Sequence, residues 1–256
     1  MKMKKLLSYF YSLPRVIYHA ILLLPALAFS LHSFADNKGR AVNRGRTLYD
    51  GEGRMVILPD TVRSAVALRS GALRLMCYMD LAGKISHIEE NERRRTTPYI
   101  IANNELRKLP VIGNGNNHDP ELLAASGFDI IITTFMSAAE ADKLQRRTGK
   151  PVFILRYGNL SEHTEDLFTS LRLLGEIFYR QARADSIISY IGNTVDELGR
   201  RVRESVNDNL TAYIGGVAFN GAHGITSTLQ AYPPFIFLSL TNTASAKGRE
   251  KEGPGQ

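Results

Sequence analysis

The residues best placed to contact a ligand follow two predicted strands. Pro59, Asp60 and Thr61 come after the apolar run Met55–Leu58, and Arg156 and Tyr157 end the run 151–155. In open α/β sheets, ligands bind beyond the carboxyl ends of the strands. An arginine at such a position can pair with an anionic chelate or a carboxylate. Both loops are therefore candidates for a binding cleft, although Thr61 is explained equally well as a helix N-cap and Arg156 as a solvated charge.

Four further residues are candidates for ligand contact. Tyr99 follows Pro98 in a segment without core periodicity, so its ring could stack on a planar ligand or pack half-buried in the ordinary way. Tyr213 and Gly216 lie on a predicted strand and in the loop after it. His223, between Ala222 and Gly224, could ligate iron or hold a ligand oxygen, and an exposed loop residue is the alternative.

The sequence holds no constellation typical of an enzyme. It has no GxSxG elbow, no HExxH pair and no Walker loop. The loop 113–118 has His118 where a dinucleotide-binding fingerprint needs its third glycine. The single cysteine, Cys77, lies in an apolar run, which predicts a buried small hydrophobe and excludes an intramolecular disulfide. We therefore expect no catalytic residue, no resident metal and no cofactor.

The N-terminal segment has the pattern of an export signal. Residues 1–35 combine a basic start, an apolar run over 20–29 and small residues at Ser33 and Ala35, as in a secretory signal peptide. The apolar run is shorter than the ~20 residues needed to span a bilayer, and an uncleaved anchor is the alternative. We expect a flexible leader over 36–53 and a mature protein in the periplasm or another extracytoplasmic space.

The basic charge of the chain gives no argument for nucleic acid. The formal charge is +7 at pH 7, and four of these charges lie in the signal segment, which leaves +3 for the remainder. A charge this small predicts no electrostatic footprint for DNA or RNA. The four residues are Lys2, Lys4, Lys5 and Arg15.

Residues 54–160 are predicted to form an α/β lobe with a parallel sheet. Strands at 109–112, 129–133 and 151–155 alternate with helices, and such alternation is typical of parallel sheets. Asp119 is predicted to cap one of these helices, and Ser137 opens the next with a capping box. Before them, Thr61 is predicted to cap a helix that runs to Arg69.

Residues 161–206 are predicted to form a helical connector. Leu167, Leu171, Leu174 and Phe178 share one helical face, and a second apolar stripe predicts a helix over 182–204, ~33 Å long. The stripe is too short for a coiled coil, so we expect a monomer. A strand signal returns at 210–214.

The order of these motifs resembles the class III periplasmic binding proteins, which serve importers of siderophores, haem and corrinoids. The run 128–131 is similar to the family's PDVII element and the run 148–152 to its TGIPV element. The specific match is 213–216 followed by 221–225 and 232–235. The resemblance covers residues 54–238. It implies a Rossmann-like parallel-sheet N-terminal lobe, a rigid interlobe helix and ligand held between two lobes.

The resemblance also implies an incomplete second α/β lobe. Residues 207–242 would begin that lobe, and the polar, glycine-rich residues 243–256 are expected to be a disordered tail. We therefore expect a C-terminally truncated form of the family.

The function implied is that of the extracytoplasmic solute-binding component of an ABC importer. It would capture an iron-siderophore or related metal chelate in the interlobe cleft and deliver it to a membrane permease. Haem and corrinoids share the scaffold, and the sequence does not choose among these ligands. A secreted α/β enzyme and a truncated remnant that binds nothing are the alternatives.

Overall fold

The computed structural model describes residues 45–69, 71–115, 117–204, 210–217, 224–225, 227–229 and 231–244. The predicted signal peptide, His223 and most of the predicted tail lie outside these residues. In chain order the elements are β1 (Arg46–Tyr49), β2 (Met55–Leu58), β3 (Ala65–Leu68), α1 (Ala72–Tyr78), β4 (Ile85–His87), α2 (Glu90–Arg94), α3 (Pro98–Ala102), β5 (Gly113–Asn114), β6 (Asn117–His118), α4 (Pro120–Ala125), β7 (Ile130–Thr133), α5 (Ala138–Thr148), β8 (Val152–Ile154), α6 (Thr164–Phe178), α7 (Gln181–Arg203), β9 (Thr211–Ala212), α8 (Pro233–Phe237) and β10 (Thr241–Asn242).

An antiparallel hairpin, β1 with β2, precedes the main sheet. Val56 and Leu58 on alternate positions of β2 are buried, as expected for a strand with one face on the core. Asp50 shapes the turn, since its Oδ1 accepts from the backbone N–H groups of Glu52 and Arg54 at 3.0 and 2.9 Å. Residues 46–49 thus form a strand where the sequence predicted a flexible leader, because pairing with β2 outweighs their polar composition.

The main sheet has four parallel strands in the order β4-β3-β7-β8. Strands β3, β7 and β8 are buried along their whole length, which is typical of a parallel sheet covered on both faces. Helices α1 and α6 contribute to the core on one face, while α4 and α5 contribute to the core on the other. The predicted α/β class with a parallel sheet is confirmed.

One predicted element of this lobe is wrong. Residues 61–69 do not form a helix, because 65–68 are β3, which lies between β4 and β7 in the sheet. A short apolar run that is buried on both faces shows no strand period, so the pattern did not separate strand from helix. The predicted strand at 109–112 is reduced to a parallel bridge between Val111 and Ile88 beside β4.

The two long helices follow the predicted connector closely. Helix α6 buries Leu167, Leu171 and Leu174 against the lobe. The chain then turns at Tyr179, whose φ is 56°, and enters α7. Ala184 is the buried residue of α7. Ile187, Ile188 and Ile191 also pack, partly buried, against the main core, so the first half of the helix lies on the lobe.

Three short elements follow α7 in the described residues. The strands β9 and β10 pair in parallel, and α8 opens with Pro233 at its first turn. The predicted strand at 210–214 is thus shorter than expected. Helices α6, α7 and α8 line an open cleft of about 460 Å³, whose wall includes Gly192 and Phe168. None of the helices in the described residues has the length and hydropathy required to cross a membrane.

Candidate ligand-binding site

The carboxyl ends of the parallel strands bring together a group of charged and aromatic side chains. Arg69 follows β3, Glu89 lies two residues after β4, Phe135 follows β7, and Tyr157 lies shortly after β8. Arg74, on α1, completes the group through its contact with Tyr157. We call these five residues the carboxyl edge. This is the side of an open α/β sheet on which ligands bind.

Two aromatic rings in contact form the centre of the carboxyl edge, of which Phe135 is exposed and Tyr157 is half-buried. The ring centroids of Phe135 and Tyr157 lie 4.9 Å apart with the planes tilted by 35°. Phe135 is 60% exposed, and its backbone has a φ of 51°. A bulky residue in this left-handed conformation costs free energy, and such strain concentrates at ligand sites and switch regions. We call the rings of Phe135 and Tyr157 the aromatic platform. Packing within the lobe does not account for the exposed position of the Phe135 ring.

Arg74 lies against the aromatic platform. Its guanidinium carbon is 4.4 Å from the centroid of Tyr157 and 5.6 Å from that of Tyr78. Its Nε and Nη2 atoms are buried and have no hydrogen-bond partner among the described residues. The cation is thus held by ring faces, which attract the positive charge but do not satisfy its directional N–H groups.

Arg69 holds the loop that carries Phe135. Its guanidinium donates through Nη1 to the carbonyl of Phe135 and through Nη2 to Glu140 Oε1, the latter at 3.0 Å. Arg69 therefore fixes the position of the Phe135 loop through its two Nη atoms, and its buried Nε–H group has no acceptor among the described residues.

Glu89 is a buried acid beside Arg69. It is 2% exposed, and the backbone N–H of Arg69 donates to its carboxylate. Burial raises the pKa of Glu89 to about 7, and the negative charge of Glu92 acts in the same direction. Arg69 and Arg95 oppose this rise. The carboxyl edge thus contains an acid whose charge changes near neutral pH.

Tyr99 lies in a network of its own rather than in the aromatic platform. Its hydroxyl donates to Glu92 Oε2 at 2.6 Å, and Arg95 pairs with the other oxygen of Glu92 at 3.1 Å. Burial, followed by the bond to Glu92, raises the pKa of Tyr99. Because its ring packs against the main core, the structure places Tyr99 in the half-buried position that the sequence left as an alternative.

The two candidates after β8, Arg156 and Tyr157, contact different parts of the protein. Tyr157 belongs to the carboxyl edge, as described above. Arg156 instead donates through Nε to the carbonyl of Gly51 at 2.8 Å and pairs with Asp166 at 3.1 Å. Its role in the structure is to tie the hairpin turn and α6 to the end of β8.

The expected position of Pro59, Asp60 and Thr61 is wrong. Strand β2, which they follow, belongs to the antiparallel hairpin and not to the parallel sheet. The loop precedes β3 and therefore lies at the amino ends of the parallel strands. The carbonyl of Asp60 accepts from the Tyr179 hydroxyl at 2.9 Å, so this loop contacts the end of α6.

Tyr213 and Gly216 lie beyond α7, in the segment 210–217. The Tyr213 hydroxyl donates to the carbonyl of Ile225, and Gly216 has a φ of 75°. Within the described residues, no hydrogen bond or ring contact joins either of them to the carboxyl edge. His223 lies outside the described residues.

Four residues of the carboxyl edge were not predicted from the sequence. Arg69, Arg74 and Glu89 follow or flank β3 and β4, and the error at β3 hid them. Phe135 follows a strand that was predicted, so the rule that selected Tyr157 would also have selected it. Among the described residues, no cluster of three or more histidine, cysteine, aspartate or glutamate side chains could hold a metal.

Solved structures of periplasmic binding proteins are similar to this chain, and three of them illustrate the likeness. A TroA-like periplasmic binding protein of Veillonella parvula superposes with a TM-score of 0.60 at 17% identity, over 82% of this chain and 65% of that one. The molybdate periplasmic binding protein MolA of a Haemophilus influenzae ABC transporter gives 0.55 at 22% identity, over 66% and 58%. The petrobactin-binding protein YclQ of Bacillus subtilis gives 0.55 at 14% identity, over 77% and 66%.

These likenesses define the fold. The structural neighbours are consistently class III, TroA-like periplasmic binding proteins, and the chain has their α/β fold with a parallel sheet and long helices. It spans less than two thirds of the Veillonella protein and of MolA. No model of a known protein family and no curated protein sequence matches the chain.

Proposed function

We propose that the protein is the extracytoplasmic solute-binding component of an ABC importer. It captures an iron-siderophore or a related metal chelate, with haem and corrinoids as the other ligands of this class, and delivers it to a membrane permease. The fold supports this role, and each of the three similar structures is a binding protein rather than an enzyme.

The observation that carries the proposal is the pair of exposed Phe135 and half-buried Tyr157, with Arg69 bonded to the Phe135 carbonyl and Arg74 over the Tyr157 ring. An apolar surface with a few convergent polar groups is the usual composition of a small-molecule site. It lies where open α/β sheets bind ligands. A planar or aryl-bearing chelate stacked on Phe135 would cover a ring that is 60% exposed.

The remaining parts of the proposal follow from the sequence. Residues 1–35 direct export, and the protein acts as a monomer. Tyr213, Gly216 and His223 are proposed to contact the ligand from the side opposite the carboxyl edge, and Tyr157 from the edge itself. Arg156 is not needed for this role, because its contacts with Gly51 and Asp166 account for its position.

Binding measurements with the full chain test the proposed function. Calorimetric titration with a ferric siderophore, haem and cobalamin is expected to give saturable binding for one of them. Phe135→Ala and Tyr157→Ala should each weaken that binding about tenfold, as expected for aromatic anchors. Tyr190→Ala is the matched control, since Tyr190 is 73% exposed on α7 and outside the carboxyl edge.

Two results would contradict this function. Absence of binding by all three ligands would favour the remnant that binds nothing. Binding that is indifferent to both edge substitutions would place the ligand elsewhere. Limited proteolysis adds a second readout, because a ligand held from both sides should slow cleavage after residue 204.

A further inference from the structure

We infer that Glu89 is a positioning residue of the carboxyl edge: acting through Arg69, it controls the position of Phe135 in the aromatic platform. This inference rests on the proposed function, because the platform is the surface on which the ligand is proposed to stack. It adds a means of regulation to that site and does not depend on the identity of the ligand. Three features carry it: a series of hydrogen bonds from Glu89 to the Phe135 loop, two strained residues within that series, and the burial of the Glu89 carboxyl group.

A continuous series of contacts joins Glu89 to the aromatic platform. The backbone N–H of Arg69 donates to the Glu89 carboxyl group. The side chain of the same arginine donates through Nη1 to the carbonyl of Phe135 and through Nη2 to Glu140. The centroid of the Phe135 ring then lies 4.9 Å from that of Tyr157. Arg69 therefore links the acid after β4 to the ring after β7, so a displacement of its backbone acts on the Phe135 loop.

Arg69 and Phe135 both have left-handed backbone conformations. Their φ angles are 66° and 51°, in a region that costs free energy for residues other than glycine. They follow β3 and β7, which are neighbours in the sheet, and the Nη1 bond joins the two strained segments. We call the arrangement with Phe135 against Tyr157 the held state. Because strain opposes the held state and a few polar contacts keep it, a modest change in those contacts shifts the balance.

Glu89 is the group in these contacts whose charge changes near neutral pH. Its carboxyl group is buried, and the loss of hydration raises its pKa to about 7, although Arg69 and Arg95 favour the ionised form. Burial thus outweighs the attraction of the two cations. An ionised Glu89 regains water only if the Arg69 backbone bonded to it moves away, and this movement carries the Phe135 loop with it. The held state is consequently favoured when Glu89 is protonated and weakened when it is ionised.

The other charged and titratable groups around Glu89 and Arg69 come from four elements. They are Glu92 and Arg95 at α2, Tyr99 on α3, Glu140 on α5 and His118 on β6. Hydrogen bonds from Ser137 and then from Arg69 hold the pKa of Glu140 at about 2, so this acid is ionised throughout the neutral range. Burial lowers the pKa of His118 and raises that of Tyr99, so both are uncharged there.

One reporter can follow the Phe135 loop, because the chain contains no tryptophan. Phe135→Trp introduces an indole at the platform of the full chain, and its fluorescence anisotropy measures how firmly the loop is held. The anisotropy should fall from pH 6 to pH 8. The equilibrium shifts about tenfold toward release over this range if the pKa of Glu89 is about 7 in the held state and returns to its ordinary 4.5 on release. Tyr190→Trp is the matched control, since Tyr190 is 73% exposed on α7 and its anisotropy should not change with pH.

Two second-site variants identify the groups responsible. Glu89→Gln in the Phe135→Trp chain should remove the pH dependence and keep the anisotropy at its pH 6 value, because the amide does not ionise. Arg69→Gln should lower the anisotropy at both pH values, because Glu89 still titrates but no longer acts on Phe135. A residue that only supports the fold would change the stability of the protein and leave the pH profile of the reporter unaltered.

The outcomes separate this inference from the proposed function. Equal anisotropy at pH 6 and pH 8, or a fall that persists in Glu89→Gln, overturns the inference and leaves the binding-protein role intact, because no ligand takes part in the measurement. Failure of the siderophore, haem and cobalamin to bind overturns the proposed function and leaves the pH response of the loop in place. If circular dichroism shows that the indole prevents folding, fluorine NMR of the wild-type sequence labelled with fluorophenylalanine gives the same comparison, with the Phe135 signal assigned from Phe135→Leu.

Discussion

The ring of Tyr157 occupies the space in which a side chain at residue 71 would lie. A Cβ atom at Gly71 would collide with the Cδ2 and Cε2 atoms of that ring. Gly71 also has a φ of 92°, a conformation that other residues adopt only with strain. The start of α1 therefore requires glycine for two independent reasons, and the platform of Phe135 and Tyr157 depends on it.

Gly71→Ala is expected to destabilise the protein by about 2–4 kcal/mol, because the steric clash adds to the conformational cost. Chemical denaturation measures this change. Gly53→Ala is the matched control: Gly53 has a φ of 75° but no atom near its would-be Cβ, so only about 1 kcal/mol should be lost. Equal losses for the two variants would show that Tyr157 does not pack on Gly71.

The buried carboxyl of Glu89 predicts a dependence of stability on pH. Its pKa is raised from 4.5 to about 7, so the folded state retains a proton that the unfolded state has lost. The free energy of unfolding should therefore fall as pH rises from about 4.5 to 7, by up to about 3 kcal/mol, and then level off. Unfolding curves for the wild type and Glu89→Gln should diverge over this window, and parallel curves would contradict the prediction.

Substitution of Asp50 is expected to lower the stability of the protein more than substitution of its exposed neighbours. Its side chain is fully buried, pairs with Arg54 at 2.8 Å and accepts from the backbone N–H of Ile154 on β8. Asp50→Asn should cost about 3 kcal/mol or more, because Arg54 loses its buried counter-charge. Asp142→Asn removes the exposed partner of the same arginine and should cost less than about 1 kcal/mol. A larger loss for Asp142→Asn than for Asp50→Asn, in denaturant titrations, would refute this order.

Two helical glycines are expected to respond to alanine in opposite directions. Gly192 in α7 faces open space, so Gly192→Ala should stabilise by about 0.5–1 kcal/mol through helix propensity alone. Gly175 in α6 packs against α7, where a Cβ would lie 3.2 Å from Gln181 Cα and 3.4 Å from Ala184 Cβ. Gly175→Ala should therefore destabilise by about 1 kcal/mol. Thermal unfolding distinguishes the two, and stabilisation by both would mean that the helices are not in close contact.

Local signals allowed several elements of the fold to be predicted from the sequence. The capping box of Ser137 and Glu140 is formed as expected, and Asp119 caps α4 by accepting from two backbone N–H groups. Gly149 ends α5 in the left-handed conformation with a φ of 65°. The connector helix was predicted within one residue at each end, because its amphipathic stripe extends over many turns.

The errors arose where distant contacts decide the structure. Strand β3 was predicted as a helix, since its pairing with β4 and β7 involves residues 20 to 65 positions away in the chain. Strand β2 pairs instead with β1, whose polar residues 46–49 were predicted as a flexible leader, so the candidates after Leu58 were placed at the wrong end of the sheet. Tyr157 was found because β8 was correct, whereas Arg69 and Glu89 needed the order of strands, which no local pattern contains.

Helix α7 is held to the lobe over its first half, where Ala184 is buried and Ile187, Ile188 and Ile191 pack against the main core. The helix is about 34 Å long, so its second half extends about 17 Å from these contacts to Arg203. A rotation of about 5° at the last of these contacts displaces Arg203 by about 1.5 Å on this length. The second half consequently acts as a lever arm, which amplifies a small tilt into a shift of atomic dimensions where the chain leaves the helix.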